Sequence, residues 1–262
     1  MKICRFAGGL LCLVAAAFCF VGCESQLAVK VNTDSAAAGT TVEETAAETQ
    51  APATRAPGQP ADAAWFNDAV FLGDSVTLKL SYYCANHPEA LGDAQFFCAG
   101  SLGYTNALWD LDRADSVHPY YQGQNYLSQD CASVTGANKV FVMLGMNDIG
   151  LYGIDGAMES ARTLIGNLRA TSPNAAIYVQ SVTPMIQSKE GENLNNEKIR
   201  AFDEALKAYC SEQSLPYLDV YGCLADENGC LPTEYCGDID AQGIHFTDAA
   251  CALWAEFLKE NV

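Results

Sequence analysis

The strongest constraint on the fold is an apolar run that ends in a serine. Residues 69–75 read AVFLGDS, so four apolar residues lead directly into Gly73, Asp74 and Ser75. A continuous apolar run that stops at a turn is typical of a strand buried on both faces of a parallel sheet. Gly73 permits a tight turn, and a helix-compatible segment follows it. We therefore expect Ser75 at the carboxyl edge of a sheet, where open α/β sheets bind their ligands.

Later parts of the chain repeat the pattern of strand followed by helix. Apolar runs predict further strands at residues 95–100, 139–145, 176–182 and 217–220. Apolar residues at helical spacing predict helices at residues 156–170, 195–213 and 247–260. Strands that alternate with helices indicate βαβ units, and hence an α/β domain with a parallel sheet.

The first 64 residues have a different character. Residues 1–23 place Lys2 and Arg5 before a long apolar run, as in an export signal. The run ends in Gly-Cys, which resembles the lipobox of bacterial lipoproteins and would make Cys23 the lipidated N-terminus. Residues 24–64 are rich in Ala, Thr and Glu, and we predict a flexible tether. Residues 65–262 are then one domain, lipid-anchored to the outer face of a bacterial cell membrane.

Charge and cysteine content narrow the classes of partner. The chain has 14 Lys and Arg against 32 Asp and Glu, a formal charge of −18, which disfavours nucleic acid and anionic lipid headgroups. The predicted domain lacks a Cys-x-x-Cys motif and a Cys/His cluster, so a zinc site is not expected. Disulfides among Cys223, Cys230 and Cys236 would suit an exported domain, and buried free thiols are the alternative.

Three further residues fall at predicted strand ends or in the last loop. Gly100 ends the second strand, Asn147 follows the third, and His245 precedes the final helix. On a parallel sheet these loops converge with Ser75 on one edge. An acyl-transfer site needs a serine nucleophile, a histidine base and donors for the oxyanion. The N–H groups of Ser75 and Gly100 and the Asn147 amide can supply those donors. Taken alone, a serine after Gly-Asp is more often an ordinary helix N-cap, and it is the other three residues that favour the catalytic interpretation.

This order of serine, glycine, asparagine and histidine resembles the SGNH, or GDSL, hydrolase family. The matching segments are Gly73-Asp74-Ser75, Gly100, Gly145-Met146-Asn147-Asp148 and His245. The resemblance implies a flavodoxin-like three-layer α/β/α sandwich with a five-stranded parallel sheet. It also implies ester hydrolysis through an acyl-serine intermediate, without a metal or other cofactor. Within the two motifs, we expect Asp74 and Asp148 to contact the substrate.

One position departs from the family pattern. The family usually has an aspartate three residues before the histidine, to orient its ring, and here Gln242 occupies that position. Asp240 and Asp238 lie slightly further upstream. We predict that Asp240 is the orienting acid, with Asp238 or a Gln242-supported dyad as alternatives.

Three functional hypotheses follow from the sequence. The leading one is a cell-surface serine esterase that acts on an acyl-ester small molecule or an acylated glycan. The first rival is a catalytically weak binding module that has lost the acid. The second is an acyltransferase that uses the same serine, which would need a site that excludes water.

Overall fold

The computed structural model describes residues 59–262, which contain seven strands. In chain order these are β1 (Ala69–Gly73), β2 (Gln95–Cys98), β3 (Tyr120–Tyr121), β4 (Gln124–Asn125), β5 (Lys139–Met143), β6 (Ala176–Gln180) and β7 (Tyr217–Leu218). Five of them form one parallel sheet in the order β2-β1-β5-β6-β7, and β3 and β4 form a separate antiparallel pair. Each sheet strand lies within a predicted apolar run, so the predicted fold class is confirmed.

Seven α-helices accompany the strands in the described part of the chain. They are α1 (Ser75–Asn86), α2 (Pro88–Leu91), α3 (Cys131–Thr135), α4 (Met146–Thr171), α5 (Asn196–Glu212), α6 (Val220–Leu224) and α7 (Asp248–Asn261). The one large difference from prediction is α4, which begins before residue 156. Gly153 interrupts it with φ of 67° and ψ of 179°, so its first segment lacks the periodicity of the rest. That first segment carries Asn147.

The sheet separates two apolar cores. Val70 and Leu72 of β1 face a core that includes α4 and α5, while Phe71 faces one that includes α1 and α7. This alternation follows from the two-residue repeat of a strand. On the second face, Phe71 stacks on Phe141 of β5, with ring centroids 4.6 Å apart. Burial on both faces explains why β1 is almost entirely apolar, and it fixes the strand that leads into Ser75.

The domain starts slightly earlier than predicted. Ala61 is buried and its N–H donates to the carbonyl of Lys259 at 2.6 Å, so the last residues of the predicted tether (24–64) belong to the folded domain. The predicted export signal (1–23), Cys23 and the tether as far as residue 58 lie outside the described residues. Between residues 59 and 262, no helix has the length and apolar character needed to cross a membrane.

The cysteines of the described domain are free thiols, as in the second of the two sequence-based alternatives. They are Cys84, Cys98, Cys131, Cys210, Cys223, Cys230, Cys236 and Cys251. Most are buried, which suits the behaviour of cysteine as a small apolar residue. The disulfide hypothesis for residues 223, 230 and 236 is therefore wrong for this structure.

Candidate active site

Ser75 is the first residue of α1, immediately beyond the carboxyl end of β1. The turn requires glycine at position 73, because a Cβ there would lie 2.0 Å from Thr77 Oγ1. Asp74 caps the helix, and its Oδ1 accepts a hydrogen bond from the Val76 N–H at 2.9 Å. The first N–H groups of a helix have no acceptor within the helix. The Ser75 hydroxyl and N–H therefore lie together at the sheet edge.

His245 lies against this serine. Its Nε2 is 2.9 Å from Ser75 Oγ, and its Nδ1 is 2.7 Å from a carboxylate oxygen of Asp238. An ionised carboxylate can only accept hydrogen bonds, so Nδ1 carries the ring proton in the neutral form. Nε2 then has a free lone pair directed at the serine hydroxyl. This is the tautomer that a general base for Ser75 requires.

The prediction that Asp240 orients the ring is wrong, because Asp238 occupies that position. The chain doubles back between these residues: the Gly237 N–H donates to the His245 carbonyl at 2.7 Å. Asp238 and His245 thus face each other across two paired segments, while Asp240 lies in the turn between them. The Asp240 carbonyl accepts a hydrogen bond from Lys189 Nζ at 3.0 Å. Because the chain doubles back, an aspartate seven residues before the histidine reaches its ring, where the family usually has one three residues before it.

Backbone donors hold the Asp238 carboxylate in place. Its Oδ1 accepts the N–H groups of Ile244 and His245, both at 3.0 Å, and its Oδ2 accepts the Gln242 N–H at 3.2 Å. Gln242 thus contacts the acid through its backbone. Partial burial opposes ionisation of Asp238, but the hydrogen bonds from the His245 ring and backbone outweigh it and lower the pKa to about 2. Asp238 is therefore an anion at neutral pH.

Asn147 lies in the first turn of α4, next to the loop that follows β2. Its Nδ2 donates to the Leu102 carbonyl at 3.0 Å and to Asp74 Oδ2 at 3.3 Å. Both partners are acceptors, so they fix the amide with its NH₂ group toward Asp74, the neighbour of Ser75. The preceding turn needs glycine, because Gly145 has φ of 126° and a Cβ there would lie 2.8 Å from side-chain atoms of Phe202 and Val182. The sequence prediction that Asn147 lies beside the serine turn agrees with this geometry.

Gly100 lies in the exposed turn after β2. A Cβ built on it would meet no atom of the described residues within 4 Å, so open space surrounds it. The next residue, Ser101, has φ of 62°, which is uncommon for a residue other than glycine. The Asn106 side chain stabilises this loop. It donates a hydrogen bond to the Ser101 carbonyl at 2.8 Å and accepts one from the Gly103 N–H at 2.7 Å. Because Gly73 of β1 is paired with Cys98 of β2, Gly100 follows its strand at the same edge of the sheet as Ser75.

Asp74 and Asp148, which we expected to contact the substrate, are both buried and accept hydrogen bonds from backbone N–H groups of the protein itself. Only 2% of Asp74 and 1% of Asp148 are exposed. Asp148 accepts the N–H groups of Tyr104 at 2.7 Å and Thr105 at 2.9 Å, which holds the loop after β2 against α4. Burial raises the pKa of Asp74 to about 6 and also raises that of Asp148, although backbone hydrogen bonds oppose both shifts. These acids organise the loops of the site.

The described residues contain no group of three or more His, Cys, Asp or Glu side chains that could hold a metal ion. The donor set at the site, which consists of a hydroxyl, an imidazole, one carboxylate and an amide, is instead that of a serine-dependent acyl-transfer site.

The structure has a parallel α/β sheet with hydrogen-bonded serine, histidine and aspartate side chains at its carboxyl edge. This combination defines a class of protein, the serine hydrolases. Residues 34–253 match the model of the GDSL-like lipase/acylhydrolase family. The chain belongs to this family, whose members are hydrolases of acyl esters, and the resemblance identified from the sequence is confirmed.

Several solved structures share this fold. A GDSL-like lipase from Bacteroides thetaiotaomicron is 14% identical, with a TM-score of 0.55 over 74% of this chain and 86% of that one. The lipase/acylhydrolase from Enterococcus faecalis is 14% identical, with a TM-score of 0.53 over 72% and 92%. A Streptococcus pneumonia protein named for platelet activating factor is 22% identical, with a TM-score of 0.56 over 73% and 82%. These similarities show the fold, and none of the curated proteins matches the chain.

Proposed function

We propose that this chain is a serine esterase that hydrolyses acyl esters through an acyl-serine intermediate. The observation that carries the proposal is the continuous chain of contacts from Ser75 Oγ to His245 Nε2 and from His245 Nδ1 to Asp238. Each contact has the length and the donor direction that proton transfer from the serine requires.

In the proposed first step, Ser75 Oγ attacks the carbonyl carbon of the ester while its proton passes to His245 Nε2. The imidazolium that forms is stabilised by Asp238, which is an anion because its pKa is lowered to about 2. The negative charge on the carbonyl oxygen is stabilised by the N–H groups of Ser75 and Gly100 and by Asn147 Nδ2, which exchanges its longer hydrogen bond, the one to Asp74 at 3.3 Å, for one to the oxyanion. Collapse of this intermediate expels the alcohol, which takes the proton from His245, and leaves the acyl group on Ser75.

The second step mirrors the first. Water enters as the alcohol leaves, and His245 removes a proton from it as it attacks the acyl-serine carbonyl. The same donors stabilise the second oxyanion. The carboxylic acid departs when the Ser75 oxygen recovers its proton from His245. The exposed position of Gly100 supports this route, because water can approach an open site of this kind.

For the substrate, we propose esters with a short acyl group, such as acetyl, on a neutral alcohol or glycan. The open space around Gly100 supports an ester presented on a bulky alcohol at the surface. The formal charge of −18 disfavours anionic substrates. Aryl esters of increasing acyl length, followed by acetylated glycans, test both parts: we expect kcat/KM to fall as the acyl chain lengthens, and a rise with chain length would contradict the acyl assignment.

We also propose that Cys23 carries a lipid that tethers the domain to the outer face of a bacterial membrane. The support is the sequence of residues 1–23, in which a basic start and an apolar run precede Gly-Cys. Residues 24–58 would then span the distance between the membrane and the domain.

A covalent probe tests the enzyme assignment. A fluorophosphonate should label the wild-type protein and Ser81→Ala but not Ser75→Ala, and ester hydrolysis should follow the same pattern. Ser81 is a matched control on the same helix, because its hydroxyl donates to the Leu78 carbonyl and does not contact His245. Undiminished hydrolysis by Ser75→Ala would reject the proposal. The binding-module rival predicts no labelling of any of the three proteins.

A further inference from the structure

A buried thiol contacts the acid of the serine–histidine–aspartate chain. Cys236 Sγ lies 3.3 Å from Asp238 Oδ1, with the geometry of an S–H donor, and the residue is 4% exposed. Neither the mechanism above nor the sequence motifs give this cysteine a role. The contact falls on the oxygen that does not face the histidine ring.

We propose that Cys236 is a positioning residue that holds Asp238 Oδ1 and thereby directs Oδ2 at His245 Nδ1; this inference rests on the proposed function. Oδ1 receives the thiol together with the N–H groups of Ile244 and His245, whereas Oδ2 receives the ring and one backbone N–H. Rotation of the carboxylate would break all of these contacts at once. The thiol adds a side-chain donor on the Oδ1 side.

The backbone around the thiol is well anchored. Cys236 forms an antiparallel bridge with Phe246, and the Phe246 ring packs edge-on against Trp254 with centroids 6.1 Å apart. The thiol is thus supported by the apolar core beneath it and contacts the carboxylate above it. A donor fixed in this way loses little conformational entropy when it binds, so even a weak S–H donor can act on the carboxylate.

The thiol remains protonated, and so remains a donor. Burial raises the pKa of Cys236, and the charge of Asp238 acts in the same direction, while the nearby Lys189 ammonium opposes both. A thiolate at this position would repel Asp238 and could not donate. The chemistry of the pair therefore requires the neutral thiol.

Two substitutions separate positioning from simple core packing. Cys236→Ala removes the donor and should lower kcat about five- to tenfold with little change in KM, the loss of one modest hydrogen bond. Cys236→Ser keeps a donor in the same place and should recover most of the rate. Cys230→Ala is the matched control, because it removes a buried thiol that contacts Asn196 and Asn228 and not the acid, and it should leave kcat unchanged.

A double-mutant cycle identifies the route of the effect. In an Asp238→Ala background, Cys236→Ala should cause no further loss of kcat, because the group that the thiol positions is gone. An equal loss in both backgrounds, or a Cys236→Ser variant as slow as Cys236→Ala, would overturn the proposal. Loss of fluorophosphonate labelling on Ser75→Ala tests the proposed function separately.

An infrared measurement gives a second test that does not depend on Cys236→Ala folding. The S–H stretch of Cys236 is identified in the folded wild type by its loss in Cys236→Ser. Because a hydrogen bond weakens the S–H bond, the band should move to higher wavenumber in Asp238→Ala. A band that is unchanged by Asp238→Ala would show that the thiol does not donate to the acid, and would overturn the proposal.

Discussion

The substitution Asp238→Asn tests the geometry of the site because it changes charge and donor pattern while keeping the side-chain shape. An asparagine can take two orientations. In the first, its Nδ2 replaces Oδ2 and faces His245 Nδ1, which lies 2.7 Å from that oxygen. Nδ1 must then accept a hydrogen bond, so the ring proton moves to Nε2. In that tautomer His245 cannot accept the proton of Ser75.

In the second orientation the asparagine oxygen faces Nδ1 and preserves the useful tautomer. Its NH₂ group then faces the N–H groups of Ile244 and His245, and two donors cannot form a hydrogen bond. In the wild type each of these N–H groups donates to Oδ1 at 3.0 Å. Losing both bonds costs about 3 kcal/mol, so this orientation is populated in roughly one molecule in a hundred. The missing charge on the imidazolium removes a further factor of about 10². We therefore expect kcat to fall by about 10⁴.

The assay is hydrolysis of an aryl acetate, with the active-site concentration fixed by fluorophosphonate titration and the fold checked by circular dichroism. Asp240→Asn is the matched control, since Asp240 contacts Lys189 through its backbone carbonyl, and it should retain nearly full activity. A loss below tenfold for Asp238→Asn, together with a large loss for Asp240→Asn, would refute the assignment of the acid.

Four further outcomes follow from the structure. Asn147→Ala should lower kcat by roughly 10²–10³ with the fold intact, the usual loss for one oxyanion donor, and a change below threefold would remove Asn147 from that role. Gly145→Ala should lower the free energy of unfolding by about 2–4 kcal/mol, because of its φ of 126° and the crowding around it, whereas Gly100→Ala should be far milder; denaturant melts that rank them in the reverse order would contradict this. Burial raises the pKa of Asp203 in the folded protein well above its ordinary value, so the wild type loses stability as the pH rises above the ordinary pKa of an aspartate. The melting temperature of Asp203→Asn relative to wild type should therefore increase from about pH 5 to about pH 8, and calorimetry that shows a constant difference would contradict this. Cys23→Ala should block lipid labelling and membrane association of the full chain, and a mature N-terminus mapped elsewhere would reject the anchor.

The sequence was sufficient to predict the scaffold of the site. Strands with both faces buried consist of uninterrupted apolar residues, so β1 and β5 and the turns after them are visible in the residue pattern alone. Ser75 and Asn147 follow those strands directly, and the parallel topology brings their loops to one edge. Gly145 was part of the matching motif, but the reason for a glycine there, a positive φ and the close approach of Phe202, is a tertiary property.

The acid could not be chosen from the sequence. Asp238 and Asp240 lie close together in one loop, and only the pairing of Gly237 with His245 decides which of them faces the ring. Gly237 and Gly243 flank this loop, but the residue pattern does not fix where the loop turns. The nearest upstream acid in sequence was therefore the wrong choice.

Burial explains the roles of two further residues. Asp148 resembles a substrate contact in a motif, but its carboxylate is used to anchor Tyr104 and Thr105, residues distant in sequence. Cys236 belongs to none of the sequence motifs, and its contact with Asp238 occurs where Cys236 forms an antiparallel bridge with Phe246. Roles of this kind arise from tertiary packing, which local sequence patterns do not report.

The most direct test of the central claim is the detection of the acyl-enzyme. Wild-type protein mixed with an aryl acetate, quenched in acid during turnover and analysed by peptide mass spectrometry should carry one acetyl group on Ser75. The group should be absent from Ser75→Ala, which should not hydrolyse the ester. An acetyl group on another residue, or steady hydrolysis by Ser75→Ala, would contradict the account.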